Sequence, residues 1–160
     1  MAHDLPAIVV DTREPDPAPW TFPGCETIRR KLDSGDYSLD GFTDPPDGIV
    51  IERKAPGDLV ACMTWSRSRF ERELERLAAY RVAFVIVEAT LPDLLLPERW
   101  GRSHPSARLG SLLAWALRYP SVHWLFAGSR AESARIALRV FERYTAERQT
   151  AAGEKTAAVA

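Results

Sequence analysis

The chain has 160 residues, 46% of them hydrophobic and 27% charged. That is an ordinary balance for one soluble globular domain, which at this size buries about two-thirds of its unfolded surface. A formal net charge of −1 excludes a global basic field, so any nucleic-acid binding has to come from a local patch.

Ala7 to Val10 is an apolar run of strand length ending in Asp11. Pro15 biases Glu14 away from helix and closes that element. Asp16 to Pro23 holds three further prolines, with Trp20 and Phe22 as aromatic anchors in an irregular segment. Glu26 to Leu32 reads as a second short strand. Two more strand patterns follow, at Asp36 to Leu39 and Gly48 to Lys54. The stretch between them, Asp40 to Asp47, contains Gly41, Pro45 and Pro46, which is turn chemistry. This hairpin would set Asp36 near Glu52 and Lys54. Residues i and i+2 of a strand share a face, so Glu52 and Lys54 project together while Arg53 faces away.

Ala55 to Asp58 stops the strand, and Asp58 is expected to cap the next helix. After Trp65 to Arg69, the spacing of Phe70, Leu74, Leu77 and Ala78 predicts an amphipathic helix, with Arg69, Arg72 and Arg76 on its flank among glutamates. Val82 to Val87 is apolar throughout, the pattern of a central strand covered on both faces. Thr90 to Arg108 carries three prolines and a glycine and reads as a long loop, with one helical turn at Asp93 to Leu96. Leu109, Leu112, Leu113, Ala116 and Leu117 predict a helix that Tyr119 and Pro120 end. Val122 to Phe126 is the next strand. Ser129 caps a final helix with Ala134, Ala137, Leu138, Phe141 and Tyr144 inward. From Ala146 onward the apolar periodicity is lost. The expected organisation is one domain over 7–145 and a flexible tail over 146–160. Strands first, then alternating helices and strands, predict a mixed sheet flanked by helices.

The longest apolar runs are too short to span a bilayer, and Met1 to Pro6 lacks the pattern of a signal peptide. Cys25 and Cys62 have no metal-ligand spacing and no disulfide framework. The expectation is therefore a cytoplasmic protein with reduced thiols and no membrane contact. The three histidines are scattered, and each has a structural or surface role by default.

Two carboxylates and an ammonium on one patch are what metal-assisted phosphodiester hydrolysis needs. Hard cations such as Mg²⁺ take oxygen ligands, and a nearby lysine can neutralise developing charge. The same residues also describe a surface salt bridge of Glu52 with Lys54 or Arg53, and the pair alone decides nothing.

Three separated segments sharpen the reading: Val9 to Glu14, Ser34 to Tyr37, and Glu52-Arg53-Lys54 followed by Asp58. Together they resemble the nuclease domain of the XPF family of structure-specific endonucleases. The signature of that family is Gly-Asp, a variable gap, then Glu-Arg-Lys-x-x-x-Asp. The likeness continues through Phe70 to Leu74, the strand ending at Glu88, and Arg118-Tyr119-Pro120 with the strand and helix after it. The resemblance implies an α/β, restriction-endonuclease-like mixed β-sheet flanked by α-helices. It also implies an Mg²⁺- or Mn²⁺-dependent hydrolase that cuts phosphodiester bonds in branched or flap DNA, in repair or recombination. Asp36 and Glu52 would be metal ligands, joined by the backbone carbonyl of Arg53, and Lys54 would act on the attacking water or the phosphate. Asp11 would be a further ligand, directly or through water. Arg13, Glu14 and the Arg53 side chain would either touch the scissile phosphate or hold the site in shape as charge pairs. For Asp58, a helix cap is the simpler account.

Larger members of that family add tandem helix-hairpin-helix modules or a helicase domain, and neither is expected here. DNA contacts would then fall to Arg67, Arg69, Arg72 and Arg76, with Arg99 and Arg102, unless these arginines pair with neighbouring glutamates on a solvated face. So little grip implies dependence on a second subunit or, in a heteromer, on a DNA-gripping partner, and the resemblance implies a homodimer through the last two helices. The alternative is that those helices cover opposite faces of one sheet. The expected location is the cytoplasm, at the nucleoid or in a host cell if the source is viral. Two rival functions remain at this point: a catalytically silent DNA-binding or dimerisation scaffold, and a sequence-specific restriction-like nuclease.

Overall fold

The computed structural model describes residues 5–15, 19–97, 99–101 and 103–157. Arg102 and part of the irregular proline segment lie outside them. The elements in chain order are β1 (Ile8–Val10), β2 (Thr27–Arg29), β3 (Tyr37–Leu39), β4 (Ile49–Lys54), α1 (Pro56–Met63), α2 (Arg67–Leu77), β5 (Val82–Val87), α3 (Leu91–Leu94), α4 (Pro105–Arg118), β6 (Val122–Phe126) and α5 (Arg130–Ala157). The strands form one mixed sheet in the order β2-β1-β3-β4-β5-β6. β3 runs antiparallel to both β1 and β4, and β4, β5 and β6 are mutually parallel. This is the expected α/β architecture of a mixed sheet flanked by helices.

Strand parity sorts the side chains into two cores. Val50, Val85 and Val87 pack against α1, α2 and α4 through Leu59, Phe70, Leu74, Leu112 and Trp115. Ile49, Ile51 and Ile86 point the other way, onto Tyr37, Trp20, Phe22 and the α5 residues Ala137, Phe141 and Tyr144. The last two long helices thus cover opposite faces of one sheet. α2 is held by Phe70, Leu74 and Leu77, all buried at helical spacing. Each such side chain contributes about 1.5–3 kcal/mol of burial, which fixes the helix beside the end of β4.

Several boundaries differ from the sequence expectation: β2 is confined to Thr27–Arg29, and α2 begins at Arg67, before Phe70. α1 starts at Pro56 with Ala55 as its N-cap, so Asp58 lies inside the first turn. There its charge favours the positive helix end without capping it. The helical turn in the long connection falls at Leu91–Leu94, because Thr90 and Asp93 form a reciprocal capping box. α4 begins at Pro105, four residues before Leu109; proline suits the first helical position, and His104 accepts from the Ser106 amide. The buried Arg108 then donates to the carbonyls of Leu94 and Leu96 at 2.7 and 3.1 Å, tying that early turn to α3. Finally, α5 runs on from the inward-facing Tyr144, past Ala146, to Ala157. The extension is rich in Ala, Glu, Arg and Gln, which favour helix without needing an apolar face.

Candidate active site

The hairpin of β3 and β4 builds the site. Gly35 leads into β3 with φ +71°, and a Cβ there would lie 2.3 Å from Val50 Cγ2 and 3.1 Å from the Ile51 carbonyl oxygen. Only glycine fits this approach. The next amide, of Asp36, donates to the Ile51 carbonyl at 2.9 Å, and the Arg53 amide donates back to Asp36 Oδ2 at 2.7 Å. Asp36 is thereby held against the strand that carries Glu52.

Glu52 and Lys54 continue the parity of Val50 and face α1 and α2, as the two-residue period requires. The Lys54 ammonium donates to Glu52 Oε1 at 2.7 Å and lies 4.7 Å above the Phe70 ring. Burial opposes its charge, but the Glu52 and Asp36 carboxylates overcome that, and Lys54 stays an ammonium with a raised pKa. Burial pushes the Asp36 carboxyl well above the usual range, reinforced by repulsion from Glu52 and Glu14. The Glu52 carboxyl is also raised, by burial, against the pull of Lys54. Glu52 and Glu14 lift Asp36, and Glu73 and Glu14 lift Glu52, so these acids form a self-repulsive cluster in the absence of added positive charge.

These three residues open into a cleft of about 440 Å³ lined also by Arg13, Asp58, Cys62, Ser66, Arg69, Glu73 and Arg76. Glu73 has no place in the sequence reading beyond its role as a neighbour of arginines. The structure turns it inward, where its Oε1 accepts from the Gly35 amide at 3.1 Å and its Oε2 pairs with Arg76. A signal was available: Arg69, Glu73 and Arg76 stand at i, i+4 and i+7 and share one helix face.

Among the described residues, no group of three or more His, Cys, Asp and Glu is arranged to hold a metal by itself. The donors fit a hard divalent cation, which binds through one or two carboxylates and completes its shell with water and substrate phosphate. They do not fit a structural zinc site, which takes four protein ligands.

The structure does not bring the Asp11 carboxylate into the cleft. Asp11 is fully buried, and both its oxygens are engaged. Oδ1 accepts from the Arg13 amide and Nε, each at 2.7 Å, while Oδ2 accepts from the Leu32 amide at 2.6 Å. Burial would raise its pKa, but these donors hold it below the usual range. Its own amide donates to the Asp36 carbonyl at 2.8 Å, joining it through the backbone to the wall of the cleft. Arg13, anchored by this pair, does line the cleft.

Glu14 and the Arg53 side chain lie on the opposite face of the sheet. Arg53 Nε donates to Glu88 Oε1 at 2.7 Å and Nη1 donates to Glu14 Oε2 at 3.2 Å. Tyr37 Oη donates to Glu14 at 2.8 Å, and Trp20 Nε1 donates to Glu88 at 2.8 Å. The network is nearly buried and fully partnered, as a low-exposure charge cluster must be to persist. It holds the site in shape from beneath.

The arginines of α2 divide. Arg67 is tied to Glu71 at 3.1 Å and to Ser111 at 2.9 Å, with its guanidinium 5.1 Å from the Trp115 ring centre, so it braces α2 against α4. Arg76 is held by Glu73 and by Ser34 Oγ at 3.1 Å, inside the cleft rim. Arg69 and Arg72 are exposed and have no ion-pair partner among the described residues; of the two, Arg69 lines the cleft. Arg99 pairs with Asp93 at 3.5 Å, away from the cleft lining.

Residues 10–140 match the family model described as the ERCC4 domain. The structure is similar to XPF from Aeropyrum pernix, with a TM-score of 0.66 and 25% identity over 93% of this chain and 69% of that one. It is similar in the same degree, TM-score 0.66 and 25% identity, to XPF from Aeropyrum pernix in complex with DNA, over 89% of this chain and 66% of that one. The chain thus spans about two-thirds of the length of the solved chains it resembles. No curated protein sequence matches it.

Proposed function

The chain belongs to the ERCC4-domain family and carries an XPF-like nuclease domain, and from that premise we propose that it is a divalent-metal-dependent endonuclease acting on branched or flap DNA. The observation that carries this reading is the convergence of Asp36, Glu52 and Lys54 on one cleft rimmed by Arg13, Arg69 and Arg76. Asp36 and Glu52, with the Arg53 carbonyl, are the groups that would hold Mg²⁺ or Mn²⁺. Such an ion supplies Lewis acidity and a water of lowered pKa when bound. Lys54, kept charged by its acidic neighbours, stands ready to neutralise charge developing on the phosphate. Arg13 and Arg69 would orient the phosphodiester across the opening, a positioning role that needs no sequence readout.

Free cations at the cleft are few, so intrinsic DNA affinity should be modest and steeply salt-dependent. Selectivity would come from the shape and bendability of a junction. Leu113 and Leu117 stay exposed on α4 and support pairing with a second copy or another DNA-gripping chain.

The test uses purified protein, a flap substrate and an intact duplex, with Mg²⁺ or Mn²⁺ against EDTA. Metal-dependent cutting of the flap, abolished in Asp36→Asn and in Lys54→Ala, supports the reading. DNA binding without cutting, indifferent to both substitutions, would make the protein a scaffold. Equal cutting at defined duplex sites would make it a sequence-specific nuclease.

A further inference from the structure

Of the five tryptophans, four have a partner inside the protein. Trp20 stacks on Tyr37, Trp115 stacks on Trp124, and Trp100 Nε1 donates to the Asp93 carbonyl. Trp65 is 80% exposed and makes no hydrogen bond or ring contact with any described residue. Among the exposed large hydrophobic side chains of the described residues Trp65 is the one aromatic ring, a flat face open to a stacking ligand.

That position is rigid. Trp65 occupies the turn between α1 and α2, where the Thr64 and Ser66 amides both donate to the Ala61 carbonyl, at 3.2 and 3.0 Å. The Thr64 hydroxyl donates to the Val60 carbonyl at 3.0 Å. Buried residues on both sides, Met63 before it and Phe70 after it, pin the two helices to the sheet. The turn also borders the cleft: Ala61, Cys62, Ser66 and Arg69, which flank Trp65 in the chain, all line it. Its neighbours in the chain, Thr64, Ser66, Arg67, Ser68 and Arg69, are polar or cationic. An exposed indole on a hydrogen-bonded turn whose chain neighbours line the cleft, with the unpaired Arg69 four residues on, suits a nucleobase with its phosphate.

Resting on the nuclease reading above, we propose that Trp65 is a stacking platform for one unpaired base beside the scissile phosphate. Bases in an intact duplex are stacked on each other and unavailable, whereas a flap or junction offers a free face. Trp65 would then be the residue that makes this cleft prefer branched over continuous DNA.

The experiment compares the 160-residue chain with its Trp65→Ala and Trp65→Phe variants. Binding to a single-stranded oligonucleotide, a flap and an intact duplex is read by fluorescence anisotropy in EDTA. Cutting is read in Mg²⁺ on the flap and on a set of flaps carrying one abasic site each around the junction. The expected result is binding of the single strand and the flap about ten- to a hundredfold weaker in Trp65→Ala, nearly retained in Trp65→Phe, with duplex binding little changed. One abasic position should slow the wild type by a similar factor and leave Trp65→Ala unaffected. Equal binding of single strand and flap by wild type and Trp65→Ala overturns the inference, as do abasic penalties of the same size in both. Unchanged circular dichroism and Tm in the variants show that folding is not what the substitution alters. A wild type that binds DNA through Trp65 in EDTA yet cuts nothing in any metal overturns the nuclease reading alone. A wild type that binds no DNA overturns both.

Discussion

The Arg53 backbone amide donates to Asp36 Oδ2 at 2.7 Å, so the strand that presents Glu52 and Lys54 also aims the other acid of the site. Through this bond a single hairpin assembles both carboxylates and the ammonium, and their spacing does not depend on a mobile loop.

Gly35→Ala tests how tightly that hairpin is closed. The added Cβ meets Val50 Cγ2 and the Ile51 carbonyl at a positive φ. The expected loss is about 1–3 kcal/mol of stability, with DNA cutting reduced further than stability alone accounts for. Chemical denaturation and a cleavage assay read the two effects. A variant as stable and active as the wild type would show that the turn can open at no cost.

Asp36→Asn removes one acid, itself raised by Glu52 and Glu14, from the self-repulsive cluster. In EDTA the variant is expected to melt a few degrees above the wild type, a gain of about 1 kcal/mol. Adding Mg²⁺ should raise the Tm of the wild type and not that of the variant. Cutting should fall by about a hundredfold or more. A variant that melts lower in EDTA, or that responds to Mg²⁺ like the wild type, contradicts the assignment.

Arg67 and Arg69 are two positions apart and should behave differently. Arg69→Ala is expected to leave Tm unchanged and to flatten the dependence of log affinity on log salt by about one unit. Arg67→Ala breaks its bonds to Glu71 and Ser111, and should lower stability by about 1–3 kcal/mol with the salt slope intact. Salt titrations of DNA binding beside thermal melts separate the two. The reverse pattern would place Arg67, not Arg69, on the DNA.

Asp11 links the wall of the cleft to pH. Its folded pKa is lowered, so its stabilisation is fully present above the unfolded value of about 3.9 and is lost as pH falls through the folded value. Asp11→Asn should therefore be less stable than the wild type at pH 7, by about 1–3 kcal/mol, and the gap should close in strong acid. Urea midpoints at neutral and at low pH measure it. A gap that stays constant down to pH 2 would mean that the charge of Asp11 contributes nothing.

The order of the strands' chemistry could be read from the residues alone, because parity along a strand is local. That Glu52 and Lys54 share a face, that Arg53 opposes them, and that a hairpin returns Asp36 to them all follow from a two-residue period and one turn-rich stretch. Which charges remain free for a ligand could not be read this way. Whether a side chain is free depends on donors and acceptors brought from far along the chain. Glu73 meets Gly35 across 38 positions, Arg67 meets Ser111 across 44, and Trp20 meets Glu88 across 68. Those contacts engaged Asp11, Glu14, Arg53 and Arg67 in the framework, turned Glu73 into the cleft, and left Trp65 and Arg69 to the solvent. The sequence determined which residues could do chemistry; only tertiary packing, by saturating some and sparing others, decided which of them line the cleft.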